Sequence, residues 1–290
     1  MPPILSRHKN GLKIVNFKWV VIGKTTVEKR YEYLSEALSH LGVINEVSFI
    51  KSSQESFSDD VKRAMLSFDS IRVEEPFCNK LPDCFEGVPS QIMIIKSADA
   101  VIKDLGRWWP RSLLGEGLRR AIIHSKIDID YTGLGLLIGS GGGAREAMNG
   151  LVQLGLSGVH ISGSNQIEVS KFFKDLKRSY FGMRLEIIPT NELTMLPGHY
   201  SLIVNTILSD NDDILNELYY FNFLKKGGLV VDLKLSPEKS NLIKEAESIN
   251  AKIITGYEVE SYIDDFWVES CFKKKLDIIP YIQGLRSLFA

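Results

Sequence analysis

The chain has 290 residues, which at about 150 residues per domain predicts two domains with sizeable cores. Hydrophobic residues make up 44% of the chain and charged residues 24%, a composition typical of a soluble globular protein and unlike a disordered, fibrous or membrane protein. The 35 Lys and Arg residues nearly balance the 36 Asp and Glu residues, so the net charge of -1 predicts no nucleic-acid partner and no anionic membrane surface.

Cysteine usage and the first residues predict a cytoplasmic protein. The three cysteines, Cys78, Cys84 and Cys271, are too few for a disulfide framework, and no two of them have the spacing of a zinc site. The five histidines are scattered, so we expect no bound metal. Residues 1–16 contain no apolar run of signal-peptide length, and the chain has no apolar stretch long enough to span a membrane.

The first half of the chain alternates strands and helices. A strand at 19–22 ends at Gly23, and a helix at 27–41 follows with apolar residues at helical spacing and Gly42 as its C-cap. The next predicted elements are a strand at 47–50, a helix around 59–66, strands at 70–73 and 92–95, and a helix at 113–125. This alternation predicts an α/β domain with a mostly parallel sheet.

A second α/β unit begins at Leu134. Residues 134–138 form a near-continuous apolar strand, as expected when both faces of a sheet are covered. A turn at 139–143 and a helix at 144–154 come next, and further strands are predicted at 158–162, 185–188, 201–205 and 228–233. These repeated βα units predict a doubly wound, Rossmann-like domain. We expect the final helices, near 258–275 and 280–289, to return to the first domain.

The turn after the 134–138 strand is rich in glycine. Its sequence Gly-Ser-Gly-Gly-Gly-Ala follows a buried strand and opens a helix, which is the context of the G-x-G-x-x-G/A dinucleotide-binding motif. Gly139 allows a tight turn, Gly141 lets the backbone approach a pyrophosphate, and Ala144 lets helix and strand pack closely. The helix N-terminus supplies amide donors and a positive dipole for phosphates. The alternative is a glycine-rich turn that binds nothing.

The end of the following strand normally selects the cofactor. An acidic residue there binds the ribose hydroxyl of NAD, whereas an Arg accommodates the 2′-phosphate of NADP. Residues 163–166 are Gly-Ser-Asn-Gln and contain neither. The sequence therefore predicts NADP or NAD without distinguishing them.

These segments resemble the shikimate dehydrogenase family over nearly the whole chain. Residues 139–145 resemble the family's G-A-G-G-A-A-R, and residues 230–242 resemble its V-x-D-x-x-Y-x-P-x-x-T-x-L, continued by 251–256. Residues 106–117 align without gaps with the stretch that carries the family's N-T-D-G. The resemblance implies an N-terminal α/β substrate-type domain, a Rossmann-like dinucleotide-binding domain and C-terminal helices returning to the first domain. We accordingly place the substrate-type domain at 1–112 and 257–290 and the nucleotide-binding domain at 113–256.

The residues that align with the family's substrate site differ from its pattern. Cys78 stands where N-V-T-x-P-x-K has its catalytic lysine, and Leu114 stands at the partner aspartate of N-T-D-G. Asp99 replaces the asparagine of V-N-T, residues 28–31 replace the carboxylate-binding S-x-S-P, and Ile263 replaces a helix glutamine. Leucine cannot carry a proton, and positioned proton transfer typically contributes about 10²–10⁴-fold in rate. We therefore expect no reduction of dehydroshikimate.

The sequence thus yields three sets of candidate residues. The cofactor-binding candidates are Gly139, Ser140, Gly141, Gly142, Gly143, Ala144, Arg145, Ser164, Asn205 and Thr206. The charged residues expected to line a substrate cleft are Lys24, Arg30, Arg72, Asp99 and Arg111. The groups that could replace the lost catalytic pair are Lys80, Asp99 and Cys78.

Two functions remain open at this stage. The first is an NAD(P)-dependent oxidoreductase acting on a different small polar metabolite. The second is a non-catalytic pseudoenzyme that serves as a metabolite-binding, regulatory or assembly subunit. The pair Trp108-Trp109 is either a stacking surface for a ligand or ordinary packing at an element boundary.

Overall fold

A computed structural model of the chain describes residues 16–24, 27–208 and 222–290. These residues divide into two compact units. Unit 1 comprises the described residues up to Leu113 together with Ile263–Leu288. Unit 2 comprises the described residues of Leu114–Tyr262 and the last two residues of the chain.

Unit 1 is built on a five-stranded sheet in the order β2-β1-β3-β4-β5. Its strands are β1 (Phe17–Gly23), β2 (Asn45–Lys51), β3 (Ser70–Val73), β4 (Ala100–Asp104) and β5 (Arg107–Arg111). The first three strands are parallel, and β4 and β5 add an antiparallel hairpin at one edge. The first helices of this unit are α1 (Glu28–His40), α2 (Phe57–Ser67) and α3 (Ser90–Ile95), with a short 3₁₀ turn at Leu81–Cys84.

The predicted strand at 92–95 is wrong, because these residues form helix α3. A run of four apolar residues fits a short helix as well as a strand, so the pattern alone did not decide. Pro89 precedes the first turn of the helix, and Lys96 ends it in a left-handed conformation with φ of 53°. The edge position in the sheet belongs instead to the β4–β5 hairpin, which the sequence pattern does not predict.

Unit 2 contains a six-stranded sheet in the order β11-β10-β9-β6-β7-β8, with every described pairing parallel. Its strands are β6 (Leu134–Ile138), β7 (Gly158–Ser162), β8 (Arg184–Ile187), β9 (Tyr200–Asn205), β10 (Leu224–Asp232) and β11 (Lys252–Thr255). The helices are α4 (Leu113–His124), α5 (Gly142–Leu154), α6 (Gln166–Ser179), α7 (Thr190–Leu193) and α8 (Asn241–Ser248). Counted along the chain from β6, this is the 3-2-1-4-5-6 order of the Rossmann fold, so the predicted fold class is confirmed.

Two helices complete the chain, α9 (Gly256–Phe272) and α10 (Ile278–Ser287). From Ile263 onward their residues belong to unit 1. Trp267 is fully buried there, and its indole Nε1 donates a hydrogen bond to Ser70 Oγ at 3.2 Å. Among the helices of the described residues, none is long and apolar enough to cross a membrane.

Candidate functional site

The glycine-rich turn lies at the point where the strand order of unit 2 reverses. Strands β6 and β9 are neighbours, and the chain leaves β6 and β7 toward one side of the sheet and β9 and β10 toward the other. In open α/β sheets, ligands bind outside the carboxyl ends of the two strands at such a point. Gly139 follows β6 directly, and Thr206 follows β9. The fold therefore places the predicted turn at the usual location of a nucleotide site.

Gly139 is required by its packing as well as by its backbone. Its φ is 118°, a backbone conformation that residues other than glycine rarely adopt. A Cβ at this position would also collide with Thr206 Oγ1. Thr206 Oγ1 donates a hydrogen bond to the Ile138 carbonyl at 2.8 Å, which ties the β9 terminus to the turn.

Helix α5 begins directly after the turn, with Gly141 as its N-cap in an extended conformation. Because glycine has no side chain, the cap residue does not fill the space in front of the first helical turn. Backbone amides and the dipole of a 13-residue helix suit a phosphate at this point. The turn is therefore compatible with a dinucleotide pyrophosphate.

Arg145 has a structural partner on the next helix. Both of its terminal nitrogens lie 3.2 Å from Asp175 Oδ2, and the guanidinium stacks over the ring of Phe172. The Arg145 side chain is 10% exposed, and that of Asp175 is 13% exposed. Arg145 thus links α5 to α6, a role that the motif did not indicate.

The ends of β9 and β10 are joined by hydrogen bonds. Asn205 Nδ2 donates to Asp232 Oδ1 at 2.9 Å, and Ser240 donates to the other Asp232 oxygen. Ser240 is also the N-cap of α8, where its hydroxyl accepts from the Ile243 amide. Sequence reasoning missed Asp232 as a member of this edge, although it is the aspartate of the V-x-D resemblance.

The segment after β7 is neutral, as its sequence suggested. Asn165 caps α6 by accepting from the amides of Ile167 and Glu168. Gln166 donates to the Gly163 carbonyl at 3.1 Å, and Ser164 is exposed. Residues 163–166 therefore present no charged side chain that could distinguish the two nicotinamide dinucleotides.

A buried network of charged and hydroxyl groups lies in unit 1. The Asp264 carboxylate accepts from Arg72 at 2.9 Å, from Arg30 at 3.3 Å and from the Tyr281 hydroxyl at 3.0 Å. Arg30 also donates to the Tyr31 hydroxyl at 2.9 Å. Arg30 is 6% exposed and Arg72 is 4% exposed. Two of the predicted cleft residues, Arg30 and Arg72, thus bind a carboxylate of the protein itself.

The electrostatics of this network follow from its burial. Burial acts to lower the pKa of Arg72, but the adjacent Asp264 charge raises it overall, so the guanidinium stays charged. Burial raises the pKa of Tyr31 and of Tyr281, which keeps both phenols protonated. Burial also raises the pKa of Glu74, against the opposing effect of Arg30. The network therefore contains two fixed positive charges held by internal acids.

Sequence reasoning missed Asp264 and Tyr281. The signal was present, because Asp264 and Asp265 interrupt the otherwise apolar stretch 262–268 of helix α9. An acid buried on a helix needs a cationic or hydrogen-bonding partner, and the arginines on α1 and β3 supply it.

The other predicted cleft residues have different surroundings. Asp99 Oδ1 accepts a hydrogen bond from the Leu113 amide at 2.6 Å. Burial acts to lower the pKa of Arg72, and the charges of Asp264 and Asp99 both act to raise it. Lys24 is exposed on the turn after β1. Arg111 is exposed at the end of β5 and lines a separate cavity. Of the five predicted residues, Arg30 and Arg72 bind Asp264, the Asp99 charge acts on Arg72, and Lys24 and Arg111 are exposed.

The candidate replacements for the catalytic pair are also engaged. Cys78 is 5% exposed, and its thiol donates to the Val73 carbonyl at 3.4 Å. Lys80 Nζ lies 3.4 Å from the Gln54 carbonyl. No group of three or more metal-ligating side chains occurs within residues 16–24, 27–208 and 222–290.

Two curated relatives of the chain carry the same name. A protein named shikimate dehydrogenase (NADP(+)) from Shouchella clausii is 25% identical over 190 residues, covering 65% of this chain and 67% of the relative. One of the same name from Caldicellulosiruptor bescii is 25% identical over 190 residues, covering 64% of each chain. The aligned stretch thus spans about two thirds of these relatives. No protein-family model matches the chain.

Solved structures extend the similarity to nearly the whole chain. Shikimate 5-dehydrogenase from Listeria monocytogenes, in complex with shikimate and NAD, has a TM-score of 0.81 at 15% identity and covers 96% of this chain and 99% of its own. The Thermus thermophilus enzyme in complex with shikimate has a TM-score of 0.79 at 16% identity, covering 94% and 99%. The 5-ketofructose reductase of Gluconobacter sp. strain CHM43 has a TM-score of 0.77 at 15% identity, covering 96% and 100%. The chain is therefore similar in sequence to proteins named shikimate dehydrogenase and shares their two-domain fold.

Proposed function

We propose that this protein binds a nicotinamide dinucleotide at the carboxyl ends of β6 and β9 and does not oxidise shikimate. The observation that carries the first half is the position of the Gly139–Thr206 contact at the reversal of the strand order. The names of the curated relatives, which specify NADP(+), favour the same class of ligand. The residues that would hold the pyrophosphate are those of the turn and the first turn of α5. The bound cofactor would supply or accept a hydride.

The absence of shikimate chemistry rests on the aligned positions. Oxidation of a secondary alcohol needs a group that accepts the hydroxyl proton as the hydride leaves. Cys78 and Leu114 stand at the positions of the family's proton-transferring pair. The Cys78 thiol donates a hydrogen bond to a backbone carbonyl. Neither side chain can perform that transfer efficiently.

We further propose that NAD and NADP bind with similar affinity. The Asn165 amide side chain is engaged in capping α6, and residues 163–166 carry no charge. Neither a carboxylate for the ribose hydroxyls nor a guanidinium for the 2′-phosphate is available from this segment.

The proposed catalytic function is an NAD(P)-dependent oxidoreductase acting on a small polar metabolite other than shikimate. A non-catalytic role is the second candidate, and a specific observation favours it. Arg30 and Arg72 are bonded to Asp264, which also binds Tyr281, so the buried charges in unit 1 have internal partners. A substrate anion would have to compete with Asp264 for these guanidinium groups.

Calorimetry and kinetics test these proposals together. Titration of NADP and NAD into the protein should give binding that Gly141→Val abolishes, because a side chain there obstructs the pyrophosphate. Gly87→Val is the matched control, since a Cβ at Gly87 meets no atom within 4 Å. Equal binding by the parent and Gly141→Val would refute the site, and a strong preference for one cofactor would refute the proposed lack of discrimination.

Activity is measured separately from binding. Shikimate oxidation with either cofactor should be negligible, and a turnover of about 1–10³ per second would contradict the proposal. Turnover of another polyol or hydroxy acid would establish the oxidoreductase function. Dinucleotide binding without turnover of any polyol or hydroxy acid tested would favour the non-catalytic role.

A further inference from the structure

Unit 1 contains a cavity of about 640 Å³ beside the β4–β5 hairpin. It is lined by Pro89, Asp104, Leu105, Arg107, Trp109 and Arg111. Its volume lies within the roughly 300–1,000 Å³ typical of small-molecule sites. None of the ten predicted cofactor residues lines it.

The lining follows from the alternation of side chains along β5. Successive side chains of a strand point to opposite faces, so Arg107, Trp109 and Arg111 share one face over a span of about 13 Å between the outer Cα atoms. On the other face, Trp108 packs against the hydrophobic core of unit 1. The pair of tryptophans therefore divides its roles: Trp108 is core packing, and Trp109 is available to a ligand.

The charges at the cavity favour an anion. Arg107 and Arg111 are both exposed, and neither forms a salt bridge with another side chain of the described segments. Asp104 is the one acid among the six lining residues, so two positive charges face one negative charge. A guanidinium binds a carboxylate through two parallel hydrogen bonds. The half-buried indole of Trp109 lies between the two arginines in sequence and offers a flat surface for stacking.

We propose that this cavity binds a planar aromatic carboxylate. The ring would stack on Trp109 beside the apolar surfaces of Pro89 and Leu105, and the carboxylate would pair with Arg107 or Arg111. The combination selects for both features, because a simple anion gains no stacking and a neutral ring gains no ion pair. This inference does not depend on dinucleotide binding.

Naphthalene-2-carboxylate is the probe for a direct test, followed by calorimetry and by quenching of tryptophan fluorescence. We expect a dissociation constant below about 1 mM. The neutral naphthalene-2-carboxamide should bind at least about tenfold more weakly, because it lacks the charge-assisted hydrogen bonds. Added salt should weaken binding of the carboxylate and leave binding of the carboxamide unchanged.

Three variants locate the binding. Trp109→Leu and the double variant Arg107→Gln/Arg111→Gln should each weaken the binding of naphthalene-2-carboxylate by at least about tenfold. Lys103→Gln is the matched control, because Lys103 is an exposed cation on β4 whose ammonium lies 5.3 Å from the Trp108 ring. It should retain the parent affinity. Both arginines are exposed, so the double variant should melt at the temperature of the parent protein.

The contrary outcomes are equally definite. Failure of the parent protein to bind below about 1 mM, or equal affinity for carboxylate and carboxamide, would overturn the proposal. So would unchanged binding by the folded double variant. Gly141→Val should bind the probe as the parent does, and competition between NADP and the probe would show that the two sites are not separate.

Discussion

Arg72 Nη1 lies 2.9 Å from Asp264 Oδ1, and these two side chains are only 4% and 0% exposed. The carboxylate also binds Arg30 and Tyr281, so one acid joins helices α1, α9 and α10 to strand β3. A buried ion pair is not stabilising merely because it exists, since desolvation offsets much of the attraction. Removing the acid, however, would take from both buried guanidinium groups the carboxylate that they share. The fold of unit 1 is therefore sensitive to this carboxylate.

Asp264→Asn should destabilise the protein by about 3–5 kcal/mol, the usual cost of breaking a buried ion pair. Denaturant unfolding followed by circular dichroism measures the change. Glu247→Gln is the control, because its salt bridge with Lys239 is 45% to 58% exposed and should contribute at most about 1 kcal/mol. Similar losses in the two variants would show that the Asp264 network has no special weight.

His160 should make unit 2 less stable in mild acid. Its Nδ1 lies 3.0 Å from the Tyr200 hydroxyl, and its Nε2 lies 3.6 Å from Glu186. Burial lowers the His160 pKa below its ordinary value of 6.5, with Glu186 opposing and His199 and Arg184 adding to the shift. As pH falls below 6.5, the unfolded chain therefore binds a proton at His160 more readily than the folded chain does. The free energy of unfolding consequently falls as pH falls.

Stability measured between about pH 7 and pH 5 tests this expectation, with a slope of at most about 1.4 kcal/mol per pH unit from one such group. His160→Gln should reduce the slope. His40→Gln should preserve it, because the His40 side chain is 76% exposed on α1. A slope that survives in His160→Gln would assign the acid sensitivity to other groups.

Gly139→Ala should destabilise unit 2 for two separable reasons. Its φ of 118° disfavours any side chain, and the new Cβ would collide with Thr206 Oγ1. Each effect is expected to cost about 1–3 kcal/mol. Thermal unfolding of Gly139→Ala, Thr206→Ala and the double variant forms a cycle. The double variant should lose less than the sum of the single losses, and strict additivity would contradict the collision.

Leu105→Asn should stabilise the β4–β5 hairpin. Leu105 and Gly106 form its two-residue turn with φ of 49° and 78°, and Leu105 is 96% exposed. A left-handed conformation costs an ordinary residue about 1–2 kcal/mol, whereas Asn tolerates it in this type of turn. We expect a gain of about 1 kcal/mol in the free energy of unfolding.

The control for that gain is a second exposed leucine with ordinary backbone. Leu66 is 88% exposed within helix α2. Leu66→Asn should destabilise slightly, because Asn is a poorer helix former. If both variants gain stability, removal of exposed apolar surface would explain the effect instead of the turn conformation.

The sequence by itself determined the elements of unit 2 around the glycine-rich turn. Strand 134–138, the glycine turn and helix α5 are consecutive in the chain, so local spacing was enough to predict both the elements and the place of the turn. The same holds for α1, whose apolar residues follow helical spacing. The apolar run 92–95 was ambiguous because four residues do not distinguish a strand from a helix.

Only the tertiary structure decided which partner each charged residue has. Arg72 and Asp264 are 192 residues apart, and no local pattern indicates that they meet. Arg30 and Arg72 were predicted to line a substrate cleft because they align with, or flank, family positions that face the substrate. In the structure both bind the carboxylate of Asp264 on helix α9, which is distant in sequence. Spacing in sequence specifies neighbours within an element, whereas the pairing of buried charges depends on which elements pack together. The chemistry of unit 1 is therefore set by long-range contacts.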